Sequence, residues 1–397
     1  MKASQFERKI CGWMRNHYFI CACIIATALA IVVRYNVLDF ISPDTEGYLL
    51  PWYDEIAKDG IRSLNHQVGN YGITYQTVIA ILTYLPLNPV HSFKICNIIC
   101  DFGMAIITYK IIKRVTGEKK LGLIGYILII LHPVVFFNSS VWGQCDAIFT
   151  LFCLISLLCF LNEKYTAVFI LFGMAFSFKL QAVFLLPFYI ILYVLKNKYS
   201  ILNFLWIPIT MVTLSLGGVV QGRKISDVFE LYATQAKTYK SVSVNYPSIW
   251  NTIIENRTSA HYATVAPFCI IFTIAVLGLW MLYLMRDNQQ MSNGELLFVA
   301  FLTTYLTVFF LPSMHERYSY IYIILGLIVA FIEKRTIPPY ICLVLIDCQT
   351  YSRYLFDNVS AIPWMVLVSI NIISMAWYCY IYVKYHNSNL NRKTKAN

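Results

Sequence analysis

Long apolar runs separated by short polar turns occupy most of the chain, and their lengths set the first expectation. A membrane-crossing helix takes roughly 20 apolar residues, fewer where the bilayer thins or the helix is partly buried. On that basis crossings are expected near 17–38, 91–112, 120–137, 146–162, 165–178, 180–195, 201–220, 263–285, 295–311, 316–332, 337–355 and 361–383, twelve in all with both termini on one side. Residues 39–71 interrupt the pattern with Asp44, Glu46, Asp54, Glu55, Asp59, Arg62 and His66 among aromatic side chains. The alternation around 48–56 predicts a short amphipathic helix at the interface. The run 75–87, closed by Pro86 and Pro89, reads as an interfacial or re-entrant helix rather than a crossing, and that choice sets the register of everything after it.

Composition agrees with the pattern. The 397 residues are 58% hydrophobic and 13% charged, where a soluble domain holds about 45–50% apolar and about 25% charged residues. The expected class is therefore an all-α polytopic membrane protein, a single transmembrane domain over 1–397 with external loops at 39–90 and 221–262 and a basic tail at 384–397. The basic opening segment precedes an apolar run with no evident cleavage site, so that run is expected to be retained rather than removed as a secretory signal. The twelve cysteines lie mostly inside apolar runs at no metal-ligand spacing and read as small core residues.

A net charge of +11 would suggest nucleic acid in a soluble protein, but placement decides otherwise. In the twelve-crossing register, 18 of the 31 basic residues fall on the termini and even-numbered connections, among them Lys113, Arg114, Lys119, Lys120, Lys164, Lys196, Lys198, Arg286, Lys334 and Arg335. Basic short loops mark the cytoplasmic side, and a bacterial cytoplasmic membrane is the expected location. The unusual polar motifs then fall together on the opposite, extracytoplasmic face.

Those motifs carry the candidate chemistry. Asp44 follows a proline turn, with Tyr48 and Trp52 one and two turns later. A carboxylate there suits a general base whose pKa is raised by burial against aromatics, or equally the N-cap of the next helix. Asp146, at the end of Trp142-Gly143-Gln144-Cys145-Asp146, reads as a helix cap or as a second acid holding a metal ion or an acceptor hydroxyl, while Trp142 offers a face for a sugar ring. Lys179 either snorkels to the interface or faces an aqueous pocket as a phosphate-binding cation. His315-Glu316-Arg317 at a run boundary suits a phosphodiester or diphosphate, the guanidinium binding it bidentately, or forms a solvated helix end. Tyr232, Tyr239, Tyr246, Trp250 and Tyr262 of the 221–262 loop are expected to cover the cavity.

At these residues the chain resembles the integral membrane glycosyltransferases of the GT-C superfamily, and within it bacterial relatives of GPI mannosyltransferase II. The resemblance rests on Pro43-Asp44-Thr45-Glu46-Gly47-Tyr48 with Trp52, on Val141 to Phe149, on Ser177 to Pro187 including Lys179 and Gln181, on Val244-Asn245-Tyr246-Pro247-Ser248-Ile249-Trp250, and on Met314-His315-Glu316-Arg317-Tyr318. It implies a GT-C fold and inverting transfer of a hexose, mannose among the candidates, from a polyprenyl-phosphate donor to a lipid-linked or polymeric glycan acceptor in cell-envelope polysaccharide biosynthesis. It implies Asp44 as catalytic base and His315 and Arg317 at the donor phosphate, with Asp146, Glu46 and Glu316 as further acids. A divalent cation, Mg or Mn, would sit between Asp44 and Asp146, although the first loop lacks an Asp-x-Asp. Lipid phosphate as leaving group also accounts for the lack of any nucleotide fingerprint, neither a GxGxxG opening a helix nor a Walker loop.

Two other classes share parts of this pattern. A flippase or transporter of lipid-linked sugars would show internal repeats and a mid-membrane charge cluster, and the sequence reading finds neither. A surface-polysaccharide polymerase or ligase would use the same donor class and a long late external loop, for which 221–262 qualifies.

Overall fold

The computed structural model describes residues 4–235, 240–254, 262–286, 291–357 and 361–394, and within these the chain is helical almost throughout. In order the helices are α1 (Gln5–Asn16), α2 (Tyr18–Tyr35), α3 (Leu50–Asp59), α4 (Ile73–Leu82), α5 (Pro89–Thr116), α6 (Lys119–Ile130), α7 (Pro133–Phe136), α8 (Asp146–Leu161), α9 (Tyr165–Phe178) and α10 (Leu186–Lys196). There follow α11 (Trp206–Leu214), α12 (Leu216–Val220), α13 (Asp227–Gln235), α14 (Trp250–Ile253), α15 (Tyr262–Met285), α16 (Asn293–Phe310), α17 (Tyr320–Ile332), α18 (Ile337–Leu355) and α19 (Trp364–Thr394). The described strands are β1 (Ser243–Val244) and β2 (Met314–His315), paired in parallel.

The predicted helices are present, but the expected count of twelve crossings is not. Among the described residues, five helices are long and apolar enough to cross a membrane: Tyr18–Tyr35, Pro89–Thr116, Tyr262–Met285, Asn293–Phe310 and Trp364–Asn389. Six qualify if Lys119–Ile130 and Pro133–Trp142, bent by 44° at the break, form one span. The bend has a local cause, since Pro133 cannot donate the next helical hydrogen bond and restricts His132 before it. Asp146–Leu161, Tyr165–Phe178, Leu180–Lys196 and Ile201–Leu214 are apolar but only 10–17 residues long. At 1.5 Å per residue they reach about 21–26 Å, short of a hydrocarbon core about 30 Å thick. α17 has 13 residues, and α18 is interrupted by Asp347 and Arg353. The ten residues of α4 agree with its reading as something other than a crossing, and all twelve cysteines are free thiols. The molecule fits an all-α membrane protein.

α16 and α17 form the centre, both buried along almost their whole length, with α5 and α8 packed against α17. Chain direction alternates around them. α2, α9, α16 and α18 therefore end, and α5, α8, α15 and α17 begin, at the same end of the molecule, where the polar turns gather.

Candidate functional site

Two π-helical turns build the floor of this end. One, Thr45–Leu49, follows Asp44, and the other, Phe137–Trp142, precedes Gly143. Such wide turns splay side chains that an α-helix would stack, and they are frequent at functional sites. Ser42 Oγ and Thr45 Oγ1 both donate to the Trp142 carbonyl, at 2.7 and 3.0 Å, tying the two turns together. Gly143 closes the second turn at φ +80°, where a Cβ would lie 3.2 Å from Thr45 Oγ1. The position demands glycine on both counts.

α5 clamps both turns through polar side chains on one face. Lys94 Nζ donates to the Val37 and Phe40 carbonyls at 2.8 and 2.6 Å, and Asn97 Nδ2 to the Gly143 carbonyl at 3.0 Å. Asp101 pairs with Arg34 of α2 at 3.1 Å and accepts from Ser139 Oγ at 2.6 Å. No charge cluster inside a crossing is expected from the sequence, and this one corrects that expectation. Its signal was the i, i+3, i+7 spacing of Lys94, Asn97 and Asp101 within one apolar run.

Asp44 sits at the centre of the assembled site. Its Oδ2 accepts from Arg317 Nη1 at 2.7 Å, Gln144 Nε2 at 2.6 Å and Trp142 Nε1 at 2.9 Å, and Tyr354 donates to Oδ1. Asp44 does not cap the following helix, since its carboxylate makes no capping bond there. Nor is its pKa raised as expected from burial. Burial does push it up, but the Arg317 charge and the donors Tyr354 and Trp142 outweigh that and hold the carboxyl below its usual range.

The second acid is likewise engaged. Asp146 accepts from Lys179 Nζ at 2.6 Å and from Asn138 Nδ2 at 2.9 Å, with both members of the ion pair buried. It therefore neither caps α8 nor leaves Lys179 as a free or snorkelling cation. Lys179 Nζ also lies 5.6 Å from the centre of the Tyr71 ring.

Arg317 leans over Trp142, its guanidinium carbon 5.5 Å from the ring centre. Trp142 cannot present a sugar-stacking face, because it is fully buried and stacks on Tyr354 at 4.8 Å with Tyr351 edge-on at 5.1 Å. Burial and the neighbouring Arg317 push His315 down to about 3, so it is neutral near pH 7 and could offer a phosphate hydrogen bonds but no charge. Glu316 is pushed up to about 7, chiefly by burial, with the Asn245 side chain bonded to it. Asn245 itself, at φ +57°, bridges to His315 where β1 meets β2.

Tyr71 and Arg317 both line two small cavities. One, about 40 Å³, is lined by Asp44, Tyr48, Leu49, Trp52, Asn70, Tyr71, Gln144 and Arg317. Lys179, Gln181, Tyr232 and Gln235 help to line the other, about 60 Å³, which shares Asn70, Tyr71 and Arg317. Both have room for water rather than for a sugar ring, so the site is closed around its own ion pairs.

Several expected members lie elsewhere. Glu46 is exposed and lines neither cavity. Trp250 is buried in a separate apolar cluster with Val242 and Cys269 and donates to the Phe310 carbonyl at 2.8 Å. Tyr246 is fully buried against Tyr322 and Asn371, and Tyr262 bonds Ser313, so both anchor the 221–262 loop rather than face a cavity. Tyr239 lies outside the described residues.

The donor set does not fit a divalent cation. Asp44 and Asp146 are each neutralised by a basic side chain and surrounded by N–H or O–H donors, whereas a Mg or Mn site needs carboxylates with free lone pairs facing one point. Among the described residues no group of three or more His, Cys, Asp or Glu could hold a metal ion.

No protein-family model matches the chain, and no curated protein sequence matches it.

Tyr71 and Tyr354 were missing from the candidates read off the sequence. Tyr71 donates to Gln144 Oε1 at 3.1 Å and divides the two cavities. Tyr354 reaches Asp44 from 310 residues away, and no local pattern in α18 marks it.

Proposed function

We propose that the protein is an inverting glycosyltransferase of the GT-C type, moving a sugar from a polyprenyl-phosphate donor to a glycan hydroxyl on the extracytoplasmic face. The observation that carries this reading is the buried Asp44–Arg317 pair at the wall of a cavity bounded by Tyr48, Trp52 and Tyr71. It places a carboxylate that stays ionised at neutral pH beside a cation able to bind a lipid phosphate.

In this reading the donor phosphate takes over Arg317. Its Nε is a buried donor with no partner, and two phosphate oxygens could take Nε and Nη2, the donor pair on one edge of the guanidinium, drawing Nη1 away from Asp44. Asp44, relieved of its cation, then accepts the proton of the acceptor hydroxyl. The acceptor oxygen bonds the anomeric carbon from the face opposite the leaving group, and the electron pair of the breaking bond departs on the lipid phosphate, where Arg317 stabilises it. Loss of the Arg317 pairing raises the basicity of Asp44 at the moment a base is needed. The steps invoke no metal ion.

The experiment is transfer of radiolabelled sugar from a panel of polyprenyl-phosphate sugars by the purified protein. Transfer or hydrolysis from at least one donor is expected, with EDTA leaving the rate unchanged. Silence with every donor, together with protein-dependent movement of labelled lipid between leaflets, would replace this reading with a flippase.

A further inference from the structure

A cavity larger than the two beside Arg317 lies far from Asp44. It has a volume of about 410 Å³, and Leu161, Tyr165, Val194, Lys196, Met285 and Leu296 are among its lining residues. These residues come from the C-terminal ends of α8, α10 and α15 and the N-terminal ends of α9 and α16. Asp146 begins α8, Lys179 follows α9, and α16 leads to His315, so the cavity is at the opposite end of these helices from the site described above. The 16 residues of α8 alone separate the two ends by about 24 Å.

We infer that this cavity binds the phosphate-bearing headgroup of an anionic phospholipid, with Lys196 and Lys198 at its rim and an acyl chain leaving past Val194 and Met285. Its size falls within the range of small-molecule sites, about 300–1,000 Å³, unlike the two cavities beside Arg317. Its lining is amphiphilic. Leu161 and Leu296 form buried apolar wall, while Lys196, Lys198 and Glu163 supply two ammonium groups and one carboxylate. Lys198 bonds Glu163 at 2.7 Å, with both side chains substantially exposed, so solvent screens the pair and a phosphate can share the ammonium group.

The opening settles which kind of anion fits. Val194 and Met285 line the cavity and are 45% and 46% exposed. Ile190, one turn before Val194 on α10, and Leu282, one turn before Met285 on α15, are exposed as well and extend this apolar surface. A free phosphate has no use for that surface, whereas an acyl chain does. Basic pockets between helix ends, at the level where lysine stems lie in apolar surroundings and their heads reach water, recognise lipid headgroups in this way. The short connections at this end are basic too, with Lys164 and Arg286 beside the lining residues.

The test is thermal stabilisation of the full-length protein in detergent by phosphatidylglycerol, phosphatidylcholine or inorganic phosphate, combined with native mass spectrometry of retained lipid. Phosphatidylglycerol is expected to raise the melting temperature and to be retained in preference to phosphatidylcholine. K196Q/K198Q should weaken that preference by roughly fivefold per lysine, the equivalent of about 1 kcal/mol each. Val194→Trp, which fills the cavity from its exposed side, should abolish retention while leaving the lysines in place. Equal stabilisation by both lipids, or retention unaffected by both variants, would overturn the proposal. Stabilisation by inorganic phosphate alone would overturn the lipid assignment.

Discussion

Replacing Arg317 with alanine tests how Asp44 is held. Asp44 would keep donors from Trp142, Gln144 and Tyr354 but lose its charged partner, 2.7 Å away in a pair whose side chains are 12% and 10% exposed. Breaking a fully buried pair costs about 3–5 kcal/mol. With three donors retained, a loss of roughly 2–3 kcal/mol is expected here. The assay is a double-mutant cycle of Arg317→Ala with Asp44→Asn, by reversible denaturation in mixed micelles at several pH values. The coupling energy should be about 2 kcal/mol. The pH dependence should change sign as well. In the wild type the Asp44 pKa lies below its unfolded value, so its stabilisation is full above the ordinary carboxylate range and lost as pH falls through the depressed value. Without Arg317, burial dominates and raises the pKa, so stability attributable to Asp44 is lost as pH rises instead. Additivity within about 0.5 kcal/mol, with an unchanged pH profile, would refute the reasoning.

Glu316, raised from 4.5 to about 7 mainly by burial, binds a proton in the folded protein that the unfolded chain has released. Stability should therefore fall by on the order of 3 kcal/mol as pH rises from about 4.5 to about 7, and Glu316→Gln should flatten that slope in a pH series of denaturation curves. Gly143→Ala should cost about 1–2 kcal/mol from its left-handed backbone alone, read as a lowered unfolding midpoint, and should impair Asp44-dependent activity further because Thr45 Oγ1 must give way. Lys179→Met should destabilise by about 3–5 kcal/mol because it leaves Asp146 buried without its cation; a loss below about 1 kcal/mol in the same assay would contradict this.

The positions of the helices were legible because apolar runs and proline breaks mark them directly. Whether a helix crosses the membrane was not, since α8 and α9 are as apolar as a true span while only 16 and 14 residues long. Hydropathy does not separate a short buried helix from a crossing when neighbouring helices supply the rest of its apolar surroundings. At the site, Asp44, Gln144, Asp146, Lys179 and Arg317 could be picked out because ionisable or polar residues at run boundaries are costly without partners. Which partners they choose is a tertiary matter. The sequence contains both acids and both cations but nothing that pairs Asp44 with Arg317 and Asp146 with Lys179. Trp142 was misread for a related reason: an aromatic near a glycine turn suggests an open stacking face, and only the fold shows Tyr354 covering it.

The most direct measurement compares donor binding and sugar transfer for the wild type and Asp44→Asn in the same preparation, at saturating polyprenyl-phosphate sugar. If Asp44 acts as the base, the variant should bind donor nearly as tightly as the wild type while transfer falls by at least about 100-fold, as for loss of a general base. Full transfer by the variant would contradict the central claim.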